Sequence, residues 1–471
     1  MTTYGILSLL PPIIAIALAI RTKQIIPSLL LGLLVGYIVI NGGMFSGAIG
    51  MVEGLVGVLL SAGNSRTIMF TLLIGALIQL IRYSGGVAGF VNSVRGFILK
   101  SKKPKSRLQV VAASTGFLIF IESNISILTV GTVFRSLFDK FGISKQKLAY
   151  LADSSSAPSC ILFPLNAWGA YIIGLLAAYE HIPAFQTLIY SIPYNFYPIL
   201  TLVLVYYLAT TNKFFGPMKE FDTDLSEHSD PEPAENEDSG KASNMIIPLM
   251  VMICSMPLFL FYTGWDTEST SAFSTKLWNS IGNGSGSSAV LYAVLSAVIV
   301  AGVLYGFQKK ISLKSFTDES LRGMESMLTM ATLMLLAFAL GNLCKLLGTG
   351  NYVAEVTEAW LAPELAPAIL FLTSCFIAFS TGTSWGTFAI MISIAVPLAT
   401  AIDINMNMAI AAVLGGGVFG DHCSPISDTT LIASMASGSD HIDHVRTQLP
   451  YALLTGGTSV ILYLILGILG V

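Results

Sequence analysis

The chain has 471 residues, 54% of them hydrophobic and only 11% charged, with a formal net charge of −3 and a mean hydropathy of +0.74. Soluble domains carry about 25% charged residues, so the composition excludes a soluble globular protein and describes a polytopic membrane protein. The near-neutral charge says little about partners and nothing points to nucleic acid. The five cysteines stand singly, four of them in apolar sequence, against a disulfide framework or a thiolate metal cluster.

In chain order, spans are expected at 4–20, 25–40, 67–81, 148–178, 188–209, 245–262, 289–307, 326–346, 408–436 and 451–469. The first has no basic stretch before it, no small-residue cleavage site and further spans behind it, so it does not read as a removable signal. Two segments, 108–134 and 366–398, are apolar but interrupted by polar residues. The first lies between two basic blocks, Arg95 to Arg107 and Arg135 to Lys147. A single crossing would put those blocks on opposite faces, whereas Lys and Arg gather on the cytoplasmic face. A re-entrant hairpin keeps both inside. Two half-helices of about 13 residues reach roughly 20 Å, the middle of a ~30 Å core, and the turn falls on Glu122, Ser123 and Asn124. Irregular backbone at that depth is tolerated only inside protein or beside a water-filled cavity.

Threading the other spans from there puts 21 of the 24 Lys and Arg inside, leaving Arg66, Lys276 and Lys345 outside, with both termini external. Residues 212–244, containing DTDLSEHSDPEPAENEDSGK, are acidic and nearly free of apolar side chains, which reads as a disordered cytoplasmic linker. It separates an N-terminal membrane repeat, 1–211, from a C-terminal one, 245–471. Gln79 matches Asn342, Arg82 matches Lys345 and Gly85 matches Gly348, each pair 263 positions apart. Further on, FLIFIESNIS sits against FIAFSTGTSW, and LADSSSAP against FGDHCSP. Arg82 and Lys345 fall on opposite faces, the mark of inverted-topology repeats, whose sites lie near the midplane. The fold class expected is therefore all-α, with about five transmembrane helices and one re-entrant hairpin in each repeat. An amphipathic connector, 45–62 or 311–325, completes each.

Four intramembrane acids are candidates for ion or proton binding by position alone: Glu122, Asp153, Asp421 and Asp428. Asp153 opens DSSSAPSC, where Ser154 and Ser155 offer oxygens. Asp421 and Asp428 bracket Pro425 after a triple glycine, with Ser424 and Ser427 between them. Pro and Gly clusters flanked by apolar sequence indicate broken helices, whose termini and carbonyls bind ions. Hard cations such as Na⁺ take oxygen ligands, so sodium is expected at Asp153, Asp421 and Asp428. Ser123, Asn124, Thr383 and Ser384 at the hairpin tips are candidates for coordinating substrate or ion, against the blander reading of serine and threonine bonding their own helix. His422 and Cys423 read as structural. His441 and His444, three apart in SDHIDH, could bind metal or sense pH, but read as part of a solvated loop.

GGGVFGDHCSPISDTTLIAS at 415–434, with FSTGTSWGTF at 379–388, resembles the NhaC family of bacterial Na⁺/H⁺ antiporters. The likeness runs through most of the chain outside the acidic linker. It implies a multi-pass protein of the bacterial inner membrane, a homodimer, and elevator-type movement of a transport domain against a scaffold. It also implies Na⁺ and H⁺ as the transported or coupling ions, no cofactor and no enzymatic step. Members include exchangers of organic acids, and Ser123-Asn124 is a partial echo of a Ser-Asn-Thr signature in the wider superfamily. The alternative is therefore a Na⁺- or H⁺-coupled carrier of an amino acid or small carboxylate. A channel fits the hairpins but not the inverted broken helices, and no GxxxxGK[ST] loop supports an ATP-driven pump.

Overall fold

The computed structural model describes residues 4–22, 24–90, 93, 104–120, 122–164, 166–179, 182–222, 240–265, 276, 280, 284–349, 352 and 362–470. Among the described residues there is no strand. Helices satisfy their own backbone groups, which a bilayer core demands.

In the first half, α1 (Leu10–Thr22) packs on α2 (Ile25–Asn41). At Gly42, with a positive φ of 70°, the chain leaves α2. It bends by 117° into the expected connector, α3 (Met44–Leu60). Helix α4 (Ala62–Tyr83) follows. Arg95, Lys100, Lys102 and Lys103 of the first basic block lie outside the described residues. The first hairpin is α5 (Pro104–Leu118) packed along α6 (Ser123–Lys140). Its turn closes two residues earlier than expected. Glu122 is the extended cap of α6, while Ser123 and Asn124 already belong to the helix.

The expected span 148–178 is two helices, α7 (Lys145–Leu162) and α8 (Ala167–Leu176), bent by 44°. Contrary to expectation, Pro158 lies inside α7 and does not break it. Nearby hydroxyls turn onto helix carbonyls, Ser156 to Ala152 at 2.6 Å and Ser159 to Ser156 at 2.7 Å. The break comes later, between Phe163 and Asn166. There the fully buried Asn166 caps α8 through Gly169 N–H at 2.8 Å and donates to the Phe120 and Cys160 carbonyls, both at 2.8 Å. The span 188–209 is likewise divided, by a tight turn at Ile192–Tyr194 containing Pro193, into α9 (Ala184–Ser191) and α10 (Phe196–Thr211).

The second half begins with α11 (Ser243–Gly264), α12 (Gly286–Phe307), the connector α13 (Leu313–Ser326) and α14 (Leu328–Leu347). The second hairpin is α15 (Ala366–Thr381) and α16 (Ser384–Ala401), turning at Gly382 and Thr383. The expected span 408–436 is broken into α17 (Met406–Cys423) and α18 (Asp428–Ser437), and α19 (His441–Ile468) closes the chain. The triple glycine lies within α17 and does not unwind it. Its neighbourhood serves close packing instead: a Cβ on Gly416 or Gly420 would meet the backbone of α15 at Phe371 or Cys375. Small residues four apart let two membrane helices approach this way.

The packing between halves is reciprocal. Connector α13 lies on α4, and α3 lies on α14. Half-helix α18 packs on hairpin arm α6, and half-helix α8 on hairpin arm α16. Thr71 of α4 donates to the Met334 sulfur of α14 at 3.1 Å, and these two positions are 263 apart.

Within the stretch read as a disordered linker, residues 213–222 are ordered and packed. Phe214 and Met218 are buried in a cluster with Tyr150 and Tyr451. Residues 223–239 lie outside the described residues.

Candidate functional site

Four residues, 424–427, separate α17 from α18, and three polar clusters surround them. Asp421, in the last turn of α17, is 1% exposed. One carboxylate oxygen accepts from Ser384 Oγ of the second hairpin tip at 2.9 Å, the other from Ser427 Oγ at 2.5 Å. Ser427 also lies 2.9 Å from Thr429 Oγ1. Ser424 Oγ ties the unwound segment to the same hairpin through the Phe379 carbonyl at 2.7 Å. This is an oxygen-only set gathered from three elements.

Asp428 begins α18 and is exposed. Its Oδ2 accepts from Asn124 Nδ2 of the first hairpin at 3.2 Å, and its Oδ1 from the Thr429 N–H at 3.1 Å. Behind Asn124, the buried Glu122 accepts from the Ile125 N–H at 2.9 Å, with Ser123 Oγ 3.4 Å from its other oxygen. Glu122 therefore serves first as a helix cap.

Asp153 is fully buried in different company. Gln448 Nε2 donates to its Oδ2 at 2.7 Å and to the His422 carbonyl at 2.9 Å. His444 Nε2 stands 3.4 Å from Oδ2, and His422 Nε2 3.9 Å from Oδ1. Tyr197 shares a 2.8 Å hydrogen bond with His422 Nδ1. Ser154 Oγ faces Gln448 Oε1 at 3.5 Å, and the buried Ser155 hydroxyl has no hydrogen-bond partner. The Asp153 side chain meets nitrogen groups, not the oxygens expected around sodium. Among the described residues no three of His, Cys, Asp and Glu converge as a metal set. Of the three acids at which sodium is expected, each is held by its own partners: Asp421 by hydroxyls, Asp428 by an amide and a backbone N–H, Asp153 by nitrogen groups.

The solvated-loop reading of SDHIDH is corrected as well. His444 is fully buried against Asp153. His441 reaches the break itself, with Nε2 2.7 Å from the Pro425 carbonyl and Nδ1 3.1 Å from Ser434 Oγ. Helix α19 starts ten residues earlier than the apolar pattern shows, because its first turns are polar and face other protein. Thr383 caps α16, while Thr381 and Thr387 bond helix carbonyls at 2.8 and 2.9 Å. Of the tip hydroxyls, Ser384 is the one that meets an acid. Sequence reasoning missed Gln448, Tyr197 and Asn166: Tyr197 and Asn166 stand beside apolar neighbours, and Gln448 ends the polar run SDHIDHVRTQ.

An unwound helix crossed by two hairpins, with acids at the break, is the arrangement of secondary transporters. The model of the Na⁺/H⁺ antiporter family matches residues 159–468. The chain belongs to the Na⁺/H⁺ antiporter family. This is the family expected from the 415–434 motif. An uncharacterised protein of Haemophilus influenzae is 30% identical over 98% of this chain and 90% of its own length. The malate-2H⁺/Na⁺-lactate antiporter of Bacillus subtilis is 32% identical over 24% of this chain and 28% of its own length. Among solved structures, the YdaH transporter of Alcanivorax borkumensis has the same fold, with a TM-score of 0.63 at 13% identity over 90% of this chain and 89% of that one. The chain is thus an all-helical, multi-pass membrane antiporter.

Proposed function

We propose that the protein exchanges Na⁺ for H⁺ by alternating access across the bacterial inner membrane. Asp421 carries the cation site. The observation that supports this is its buried carboxylate, held between Ser384 of one hairpin and Ser427 of the break. Rotating those hydroxyls turns their lone pairs inward, so the same oxygens that hydrogen-bond the empty carboxylate can surround Na⁺. Asp428 and Asn124 line the approach. Asp153, facing imidazoles and an amide, takes the proton. No cofactor or covalent step is needed, and the protein is a transporter, not an enzyme.

The repeats are 1–211 and 245–471, joined by 212–244. The reciprocal packing and the Thr71–Met334 contact support a two-fold relation, since residues beside such an axis touch their own counterparts. Hairpins and broken helices form the transport domain of a homodimer with external termini. In everted vesicles, Asp421→Asn should reduce Na⁺-dependent dissipation of a pH gradient at least tenfold. Undiminished exchange would remove Asp421 from the mechanism.

A second reading is coupled transport of a small carboxylate or amino acid, favoured by the relative that exchanges malate and lactate. Exchange of radiolabelled malate, lactate or amino acids in proteoliposomes decides it, and no uptake of any of them rejects it.

A further inference from the structure

We propose that Gln448 is a positioning residue that couples Asp153 to the end of α17, where Asp421 sits. This rests on the proton-carrying role given to Asp153 above. Gln448 lies on α19, is 1% exposed, and spends both hydrogens of its amide in the protein interior. One goes to the Asp153 carboxylate on α7 at 2.7 Å, the other to the His422 carbonyl in the last turn of α17 at 2.9 Å. That carbonyl lies past the last internal hydrogen bond of its helix, so it needs an outside donor. A single amide therefore holds together an acid from the first half and the broken helix of the second.

The bridge depends on which face of the amide meets Asp153. Nε2 only donates and Oε1 only accepts. A carboxylate at Asp153 requires the donor face, which leaves the second N–H free for the His422 carbonyl. A protonated Asp153 that donates toward Gln448 requires the acceptor face. The amide then turns, and the hydrogen bond to α17 is given up. The vacated carbonyl is one residue from Asp421, so proton binding at one site loosens the helix end that carries the other. The orphaned atoms around the bridge, Asp153 Oδ1, His422 Nε2 and both His444 ring nitrogens, give it room for alternative pairings.

The charged and titratable groups facing Asp153 are His422 and, within electrostatic reach, Cys423 of α17, and His444 of α19. Tyr197 of α10 acts through His422. Asp421 and Asp428 are the carboxylates within electrostatic reach. His422 itself approaches Asp153 from the end of α17, but at 3.9 Å, beyond hydrogen-bond length; the hydrogen-bonded link is the one Gln448 makes.

The test uses proteoliposomes with an entrapped pH dye and NaCl pulses. Gln448→Met keeps an unbranched side chain of similar size without donors. We expect a fall in maximal exchange rate of tenfold or more, a KM for Na⁺ within twofold, and a pH profile moved toward alkaline pH, because the carboxylate has lost a donor. Wild-type behaviour, or a lower rate with an unmoved pH profile, would reduce Gln448 to packing and overturn the proposal. Should Gln448→Met not fold, Gln448→Asn retains the amide but cannot span both partners. The same shift is expected there, with the same refuting outcomes. Asp153→Asn run in parallel separates the two ideas: full exchange in that variant removes the proton role of Asp153 whatever Gln448 does.

Discussion

Asn166 makes three hydrogen bonds from one buried side chain, to the N-terminus of α8, the end of α7 and the tip of the first hairpin. It is fully buried and holds the helix break closed by satisfying the freed backbone groups. Asn166→Ala leaves all three without that partner. Each unsatisfied buried group costs about 1–3 kcal/mol, and partial relaxation makes ~2–4 kcal/mol a reasonable total for the site. Thermal unfolding in detergent should show the loss. Asn166→Asp keeps the cap but turns a carboxylate oxygen onto the Phe120 and Cys160 carbonyls in a buried site, so at neutral pH it should be destabilised at least as much as the alanine variant. An unchanged melting temperature for the alanine variant would mean the break is held by other contacts.

At the scale of elements, residues 213–222 form a strap over one end of the bundle. Tyr451 OH accepts from the Phe215 N–H at 3.0 Å and donates to the Phe215 carbonyl at 2.7 Å. The Lys147 ammonium lies 4.4 Å from the Phe214 ring centre, and Arg446 pairs with Glu220 at 3.1 Å. The exposed ion pair adds little; the burial of Phe214 and Met218 holds the strap. Beneath it the Tyr150 and Tyr451 rings meet at 4.8 Å, tilted by 40°. They lie three residues from Asp153 and Gln448 respectively, which puts the strap's anchor one helical turn from that cluster. A Cβ on Gly216 would lie 3.7 Å from Pro450 Cβ, within the Cβ separation of a disulfide, about 3.8 Å. The pair Gly216→Cys and Pro450→Cys should therefore cross-link under oxidation. The expected result is exchange lost on oxidation and regained with reductant. Full exchange by the cross-linked protein would show that the strap need not move.

The elements themselves were largely legible. Apolar periodicity located the spans, Pro425 between two acids located the break at 424–427, and the basic blocks forced a hairpin at 108–134. Pro158 and the triple glycine were misread for one reason: each has a local meaning, helix breaking, that tertiary context overrides. Hydroxyls bonded within the turns around Pro158, and the neighbouring helix α15 needed the space that a glycine Cβ would fill. The Asp153 cluster was half-legible. Its acid stood out, but Gln448 and His444 belong to the polar first turns of α19, which hydropathy assigns to a loop.

For the whole molecule, the two crossing points of hairpin and half-helix differ in chemistry. Where α8 meets α16, Trp168 packs on Trp385 at 5.4 Å and on Phe388 at 5.8 Å, and Tyr171 OH donates to the Trp385 carbonyl at 3.1 Å. All four side chains are buried. Where α18 meets α6, Gly131 lies directly against Ala436 and the helices pack closely along their length, while the tip end carries the polar pair Asn124 and Asp428, with Pro425 and Ile426 exposed beside it. A carboxylate at that depth requires water or a partner charge; Asp428 is exposed and the aromatic cluster is buried, which we take as the open and the closed side. We propose, from the Lys and Arg distribution that would put the first hairpin on the cytoplasmic face, that the open side faces inward. Ile426→Cys, 40% exposed, should react with a membrane-impermeant maleimide added from the cytoplasmic side. Trp385→Cys, at a position 5% exposed, should resist reagent from either side while this conformation is held. Labelling of Ile426→Cys from outside alone would reverse the assignment of the open face. The contrast also says what the opposite state requires: the aromatic seal must part while Asn124 and Asp428 close, which exchanges the roles of the two crossings.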